Sequence, residues 1–347
     1  GDDECEAHDF GAQARSHMWP VLVGVIVGFA LIVPVLSKLL SPKEQDLKGK
    51  HVFITGGSQG IGLSLAAKAA GEGAKLTILA RNEAKLKGAR EEILRAAAAA
   101  GYADAAVLAI SADVSDEAAM AKAVADASAK HGPINFLFCN AGYSTPGRFV
   151  EMGSDVFEAQ MKVNYFGAVA TIKAAMPSLK EAGRGKSRVV VTCSMVGNVS
   201  FYGYSAYGPS KHAVKALCEA LYYEFLEYGI GVSVAYPPDT ATPGFENENL
   251  SKPEECTALA EDNTFTPDQV AAVMLSKAKK GYYRIDVGFD GFMLGIAAAA
   301  MTPQPIFWHK IVDIALASVM RLVALVYVGS WRNTVMKIAG KRLGGSK

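Results

Sequence analysis

A serine, a tyrosine and a lysine in the stretch Val189–Leu217 have the types and spacing to do chemistry on a carbonyl. Ser194 ends the apolar β-branched run Val189-Val190-Val191-Thr192, and Tyr207-Gly-Pro-Ser-Lys211 follows thirteen residues after that serine. Positions four apart share one face of a helix, so Tyr207 and Lys211 present a phenol beside an ammonium. A free phenol, with a pKa of about 10, is a poor acid near neutrality. A neighbouring cation favours the phenolate and lowers that value. In this reading Ser194 holds a ketone oxygen while Tyr207 delivers the proton to the developing alkoxide. Alone, Tyr-x-x-x-Lys is a common surface pattern; it gains meaning from the elements around it.

The β-branched run predicts a buried strand, and Pro209 sits where a first helical turn tolerates it. From Asp46 the chain alternates between strand and helix patterns. Strands are expected at His51–Thr55, Lys75–Leu79, Ala106–Ser111, Ile134–Cys139, from Val189, and at Gly231–Tyr236. Helices are expected at 82–100, 116–131, 154–180 and 207–228. This order predicts an α/β fold, a doubly wound parallel sheet of Rossmann type with helices on both faces.

Between the first strand and the first helix lies Gly56-Gly57-Ser58-Gln59-Gly60-Ile61-Gly62. Glycines admit a close backbone approach, and a helix start offers free N–H groups to an anion, so this turn is the expected phosphate cradle of a dinucleotide. Its spacing is G-x-x-x-G-x-G, which gains weight from its position between strand and helix. The second strand ends Leu79-Ala80-Arg81 with no carboxylate, and Lys85 follows one turn later. With the Ser58 hydroxyl, these cations suit a ribose 2′-phosphate, so NADPH is the expected cofactor.

Taken together, Thr55–Gly62, Asn140-Ala141-Gly142, Asn164, Ser194 and Tyr207-x-x-x-Lys211 resemble the short-chain dehydrogenase/reductases over residues 48–290. The resemblance implies that Asp113 and Val114 of Ala-Asp-Val contact the adenine and that Asn140, Ala141 and Gly142 wall the adenosine ribose. It implies a relay water on Asn164 and nicotinamide-ribose contacts from Lys211 and Tyr207. The loop Pro237-Pro238-Asp239-Thr240-Ala241-Thr242-Pro243-Gly244-Phe245 departs from the usual Pro-Gly pattern. It resembles the branch of the family that reduces 3-ketodihydrosphingosine to dihydrosphingosine, although Ala241 stands where aspartate is common there. Pro237, Thr240 and Thr242 would then hold the nicotinamide carboxamide.

At 347 residues, half of them hydrophobic, the chain can bury one core of about 250 residues and carry further segments. Net charge is +1, which gives no bulk electrostatic basis for nucleic-acid binding. Cys5, Cys139, Cys193, Cys218 and Cys256 are scattered and read as reduced thiols. The histidines lack ligand spacing, so no metal is expected, and His212 reads as an exposed helix residue.

Residues 1–17 form a polar tail or a cloning remnant, and residues 18–40 read as a transmembrane anchor, uncharged from Met18 to Ser37. A cleaved signal peptide is the competing reading. Lys38, Lys43, Lys48 and Lys50 follow the segment and only Arg15 precedes it, which puts the catalytic domain, 46–288, on the cytosolic side. Residues 289–331 hold two apolar stretches, Phe289–Met301 and Ile306–Trp331, broken by Thr302-Pro303-Gln304-Pro305. They read as a re-entrant or interfacial helical hairpin with Trp308, Tyr327 and Trp331 at headgroup level; a dimerisation or lid pair is the alternative. The basic end, 332–347, carries Arg332, Lys337, Lys341, Arg342 and Lys347 for an anionic leaflet.

The expected protein is an NADPH-dependent reductase of a long-chain ketone lipid at the endoplasmic reticulum membrane, with homo-oligomers possible through its long helices. A membrane-bound steroid or retinoid dehydrogenase is the alternative within enzymes. A non-catalytic NADPH-binding scaffold is the alternative outside them.

Overall fold

The computed structural model describes residues 44–260 and 264–344. The expected tail 1–17 and anchor 18–40 lie outside the described residues. Seven parallel strands form one sheet in the order β3-β2-β1-β4-β5-β6-β7. They are β1 His51–Thr55, β2 Lys75–Ala80, β3 Val107–Ser111, β4 Ile134–Cys139, β5 Arg188–Thr192, β6 Gly231–Tyr236 and β7 Arg284–Asp286. Every residue of β1 is buried, β4 and β6 are buried but for one residue each, and β5 is buried through its centre, Val189–Val191. Such continuous burial is what a parallel sheet covered on both faces produces.

One face is covered by α1 (Gly60–Ala70), α2 (Glu83–Ala99) and α9 (Pro267–Lys279). The other is covered by α3 (Glu117–His131), α5 (Gly167–Glu181) and α6 (Tyr207–Glu224). Asn82 and Asp116 cap α2 and α3 by accepting the Lys85 and Ala119 amides, which fixes the helix starts one residue after the positions expected. The helix expected over 154–180 is α4 (Ser154–Met161), a π turn at Lys162–Phe166, and α5. The order reverses between β1 and β4, so a cleft opens at the carboxyl ends of these strands.

Between β6 and α9 the chain folds into α7 (Pro243–Asn249) and α8 (Glu254–Leu259). Beyond β7 come α10 (Gly288–Ala297) and α11 (Phe307–Gly344). The two pack through Ile296, Val312, Met320 and Leu316 as an apolar helical pair. α11 runs as one helix of 38 residues, about 57 Å at 1.5 Å per residue, across the boundary between the expected hydrophobic region and the basic end.

Both ends of α11 are tied to the body formed by the sheet and its helices. Near its start, Asp313 meets Arg284 of β7 at 3.1 Å. Near its end, Arg342 pairs with the fully buried Glu255 of α8, and Trp331 lies against Phe201 with ring centroids 5.6 Å apart. Between these ties Leu322, Val323, Leu325, Val326, Tyr327 and Val328 are exposed. Among the described residues this is the one helix long and apolar enough to cross a membrane, and only 11% of its apolar window is buried. It is therefore no core helix.

Candidate active site

The carboxyl ends of the strands enclose a cleft of about 400 Å³. At its head, β1 turns into α1 through Gly56 (φ +68°) and Gly60 (φ +57°), a left-handed backbone that side chains with a Cβ rarely adopt. A Cβ on Gly56 would stand 2.9 Å from the Ala141 Cα, and one on Gly60 would stand 2.9 Å from the Thr242 methyl. Gln59 occupies the N-cap of α1 without a side-chain cap, so the first amides of the helix are left for an anion in the cleft. The cradle fits a dinucleotide pyrophosphate. Gly56, Ser58, Gln59, Gly60 and Ile61 line it; Gly62 does not. A Cβ on Gly62 would overlap the Gly56 carbonyl oxygen, so this glycine closes helix against turn rather than facing the ligand.

Further along, Arg81, Lys85, Asp113, Val114, Asn140, Ala141 and Gly142 line the same cleft. Arg81 is largely exposed and 4.0 Å from Asp113; Lys85 donates to the Gln59 amide oxygen at 2.8 Å. Burial opposes the charge on Asp113, but the Ser115 amide and hydroxyl, with Arg81, hold its carboxyl below the usual range. Thr55 Oγ1 accepts the amides of Asn140 and Ala141 at 3.0 and 3.2 Å. Asn140 Oδ1 accepts the Thr192 hydroxyl at 3.1 Å. The ends of β1, β4 and β5 are thereby locked together beneath the cofactor path.

Ser194, Tyr207 and Lys211 converge at the other end. Ser194 caps a short 3₁₀ turn, Met195–Gly197, accepting the Val196 amide at 3.2 Å, and it lines the same cleft as Tyr207. Lys211 is buried and donates from Nζ to the Thr192 carbonyl at 3.0 Å, with Nζ 5.6 Å from the centre of the Tyr207 ring. The expected lowering of the tyrosine pKa by this lysine is not what the geometry produces. Burial pushes the Tyr207 phenol well above its ordinary value, the Glu248 charge pushes the same way, and the nearby Ser194 hydroxyl opposes them. Burial lowers Lys211 in turn. The phenol is thus held protonated, the state in which it can give a proton.

Asn164 is presented by the π turn and is buried; such turns recur where a helix serves a site. Its amide donates to the Tyr143 carbonyl and to Ser210 Oγ, both at 3.0 Å, and its Oδ1 accepts the Tyr143 amide at 3.0 Å. Two donors and one acceptor site are therefore engaged, which leaves one Oδ1 lone pair for any relay water. Asn164 does not line the cleft, so what the structure gives it is a positioning role for the chain after Gly142 and for α6. Pro237, Thr240 and Thr242 do line the cleft. Thr240 donates to Pro238 O at 2.8 Å, and Thr242 caps α7 through the Phe245 amide at 3.1 Å.

With these parts in place, residues 50–254 match the short chain dehydrogenase family. The chain is a member of that family. A 3-dehydrosphinganine reductase of Danio rerio is 38% identical over 91% of this chain and 95% of its own. A 3-ketodihydrosphingosine reductase of Bos taurus is 37% identical over 90% of this chain and 93% of its own. A 3-dehydrosphinganine reductase of Arabidopsis thaliana is 36% identical over 87% and 90% respectively. Among solved structures, levodione reductase superposes with a TM-score of 0.64 at 27% identity, covering 72% of this chain and 99% of its own. As a short-chain dehydrogenase the protein is an oxidoreductase that uses a nicotinamide cofactor, and the cradle described above fits one.

The sequence reading missed several walls of the short-chain dehydrogenase cleft: Phe201, Tyr204, Asp239, Phe245 and Glu248. Glu248 lies in Phe-Glu-Asn-Glu-Asn-Leu, which reads as a solvated surface run. Only the turn of α7 back over the cleft makes it a pocket residue.

Proposed function

We propose that this short-chain dehydrogenase reduces 3-ketodihydrosphingosine to dihydrosphingosine with NADPH, at the cytosolic face of the endoplasmic reticulum membrane. The observation that carries the proposal is a phenol, a serine and a lysine gathered in one cleft, with Lys211 Nζ 5.6 Å from the Tyr207 ring centre. Phe201, from the wall of that cleft, packs against Trp331 of the exposed apolar helix. When bound, the reduced nicotinamide supplies the hydride. Ser194 orients the keto oxygen, Tyr207 gives its proton to that oxygen, and Lys211 holds the end of β5 under both through Thr192. Arg81, Lys85 and Ser58 would hold the 2′-phosphate. The test is consumption of NADPH by the purified full chain on adding 3-ketodihydrosphingosine, with product identified by mass. A ketosteroid and retinal should give no turnover. Replacing Arg81 with Glu should lower kcat/KM for NADPH by about 10- to 100-fold, the usual range for losing a hydrogen bond to a charged group, and affect NADH far less. A chain that reduces the ketone equally well with both cofactors would remove the assignment to NADPH.

Membrane association of α11 is part of the same proposal. A helix held at both ends by one domain cannot thread the bilayer while both ties persist, so its apolar flank lies in the interface plane. A probe of environment-sensitive emission at Val326→Cys should shift to the blue on adding anionic vesicles. It should also be quenched more by lipids brominated near the headgroup than near the bilayer centre. Emission unchanged from water would refute interfacial docking of this helix.

A further inference from the structure

The far wall of the cleft carries a charge imbalance that the proton-transfer residues do not explain. Asp239, from the loop after β6, and Glu248, from α7, both line it. The Tyr204 hydroxyl donates to Glu248 Oε1 at 2.6 Å, and the Tyr204 ring stands 5.9 Å, centre to centre, from that of Tyr207. Lys252, its side chain buried, reaches the same Oε1 at 3.4 Å and packs over the Phe245 ring at 4.2 Å. Both its neighbours fall on Oε1, so Oε2 of Glu248 has no hydrogen-bond partner among the described residues. Nor does the Asp239 carboxylate have one. Two carboxylates thus share one ammonium, one tyrosine away from the catalytic phenol. An uncompensated negative charge in a partly desolvated wall is costly unless something positive arrives there. Burial raises the pKa of both acids while Lys252 holds them down, and both charges are felt at Tyr207.

We infer that Glu248, with Asp239, receives the ammonium of the substrate and makes the enzyme selective for 2-amino ketones over amine-free long-chain ketones. This rests on the functional reading above, in which the ketone carries its amine on the carbon next to the carbonyl carbon. With the keto oxygen at Ser194 and Tyr207, the amine falls on the side of Tyr204 and Glu248. The alkyl chain then leaves past Phe201 and Trp331 toward α11. Lys252 keeps one carboxylate neutralised in the free enzyme, and the arriving ammonium neutralises the second.

The test compares 3-ketodihydrosphingosine with 1-hydroxyoctadecan-3-one, which lacks only the amine, at saturating NADPH. Wild-type enzyme is expected to favour the amine by about 10- to 100-fold in kcat/KM, the range of a hydrogen bond to a charged group. In Glu248→Gln and Asp239→Asn that ratio should collapse toward one, chiefly through KM, with NADPH binding measured by fluorescence as the check on folding. A wild-type enzyme indifferent to the amine would overturn the inference without any variant. Equal losses on both ketones would also overturn it, since Glu248 would then act only by positioning Tyr204. Failure of the wild type to reduce the amino ketone, with turnover of another ketone intact, would instead sink the functional reading and the inference with it.

Discussion

Tyr207→Phe is expected to lower kcat by about 10²- to 10⁴-fold, the usual contribution of a positioned general acid, while leaving NADPH affinity close to that of the wild type. The ring remains, so its packing against Tyr204 survives; what is lost is the one proton aimed with Ser194 at the keto oxygen. The measurements are single-turnover loss of NADPH absorbance and titration of NADPH fluorescence. Because burial holds the phenol protonated, the wild-type rate should show no fall from tyrosine ionisation between pH 6 and about 9, below even the free-tyrosine value. Lys211→Met gives the contrast: it removes the bond to Thr192 O and should impair cofactor binding as well as rate. A Tyr207→Phe enzyme that kept most of its turnover would show that another group or water supplies the proton.

How much of this was legible in the chain follows from where the information resides. β1, β4 and β6 have the expected bounds because their buried apolar runs are bordered by glycine, proline or helix caps. The cofactor cradle and the Ser194, Tyr207 and Lys211 set are local motifs on elements of fixed length, so reading the elements places the residues. β7 was missed because Arg284-Ile285-Asp286 looks polar; its two charges are buried by pairing with each other, which no periodicity reveals. Asp239 and Glu248 belong to the cleft only through the path of α7. The effect expected of Lys211 on Tyr207 depended on distance and burial, and here burial outweighs an ammonium that points at a carbonyl. The continuity of α11 past Trp331 was hidden by a change in composition; a helix does not end where its apolar face does.

That same hidden strand supports the other large effect. Arg284 donates to Asp286 Oδ2 at 2.7 Å and to Asp313 Oδ1 at 3.1 Å, with the side chains of Arg284 and Asp286 each 3% exposed. Lys277 donates to the Asp286 carbonyl at 2.7 Å and Gln304 to Asp313 at 3.3 Å, so β7, α9 and the start of α11 meet around one buried ion pair. Arg284→Met keeps the bulk but strands a buried carboxylate. Breaking a buried pair in this way costs about 3–5 kcal/mol, or roughly 6–20 °C in Tm for a domain of this size. The deficit depends on pH with a definite sign. Burial already raises the Asp286 pKa against the pull of Arg284, and without the arginine it rises further. A carboxyl whose folded pKa exceeds its unfolded value loses stability as pH climbs through the folded pKa. The variant should therefore approach the wild type near pH 5 and fall furthest behind near pH 8. Asp313→Asn leaves the β7 pair intact and removes only the less buried arm, at 16% side-chain exposure, so its Tm should drop far less, while hydrogen exchange over 307–320 accelerates in both. A Tm for Arg284→Met within a degree or two of wild type at pH 8 would mean that Lys277 alone neutralises Asp286 and that α11 is not held at this junction.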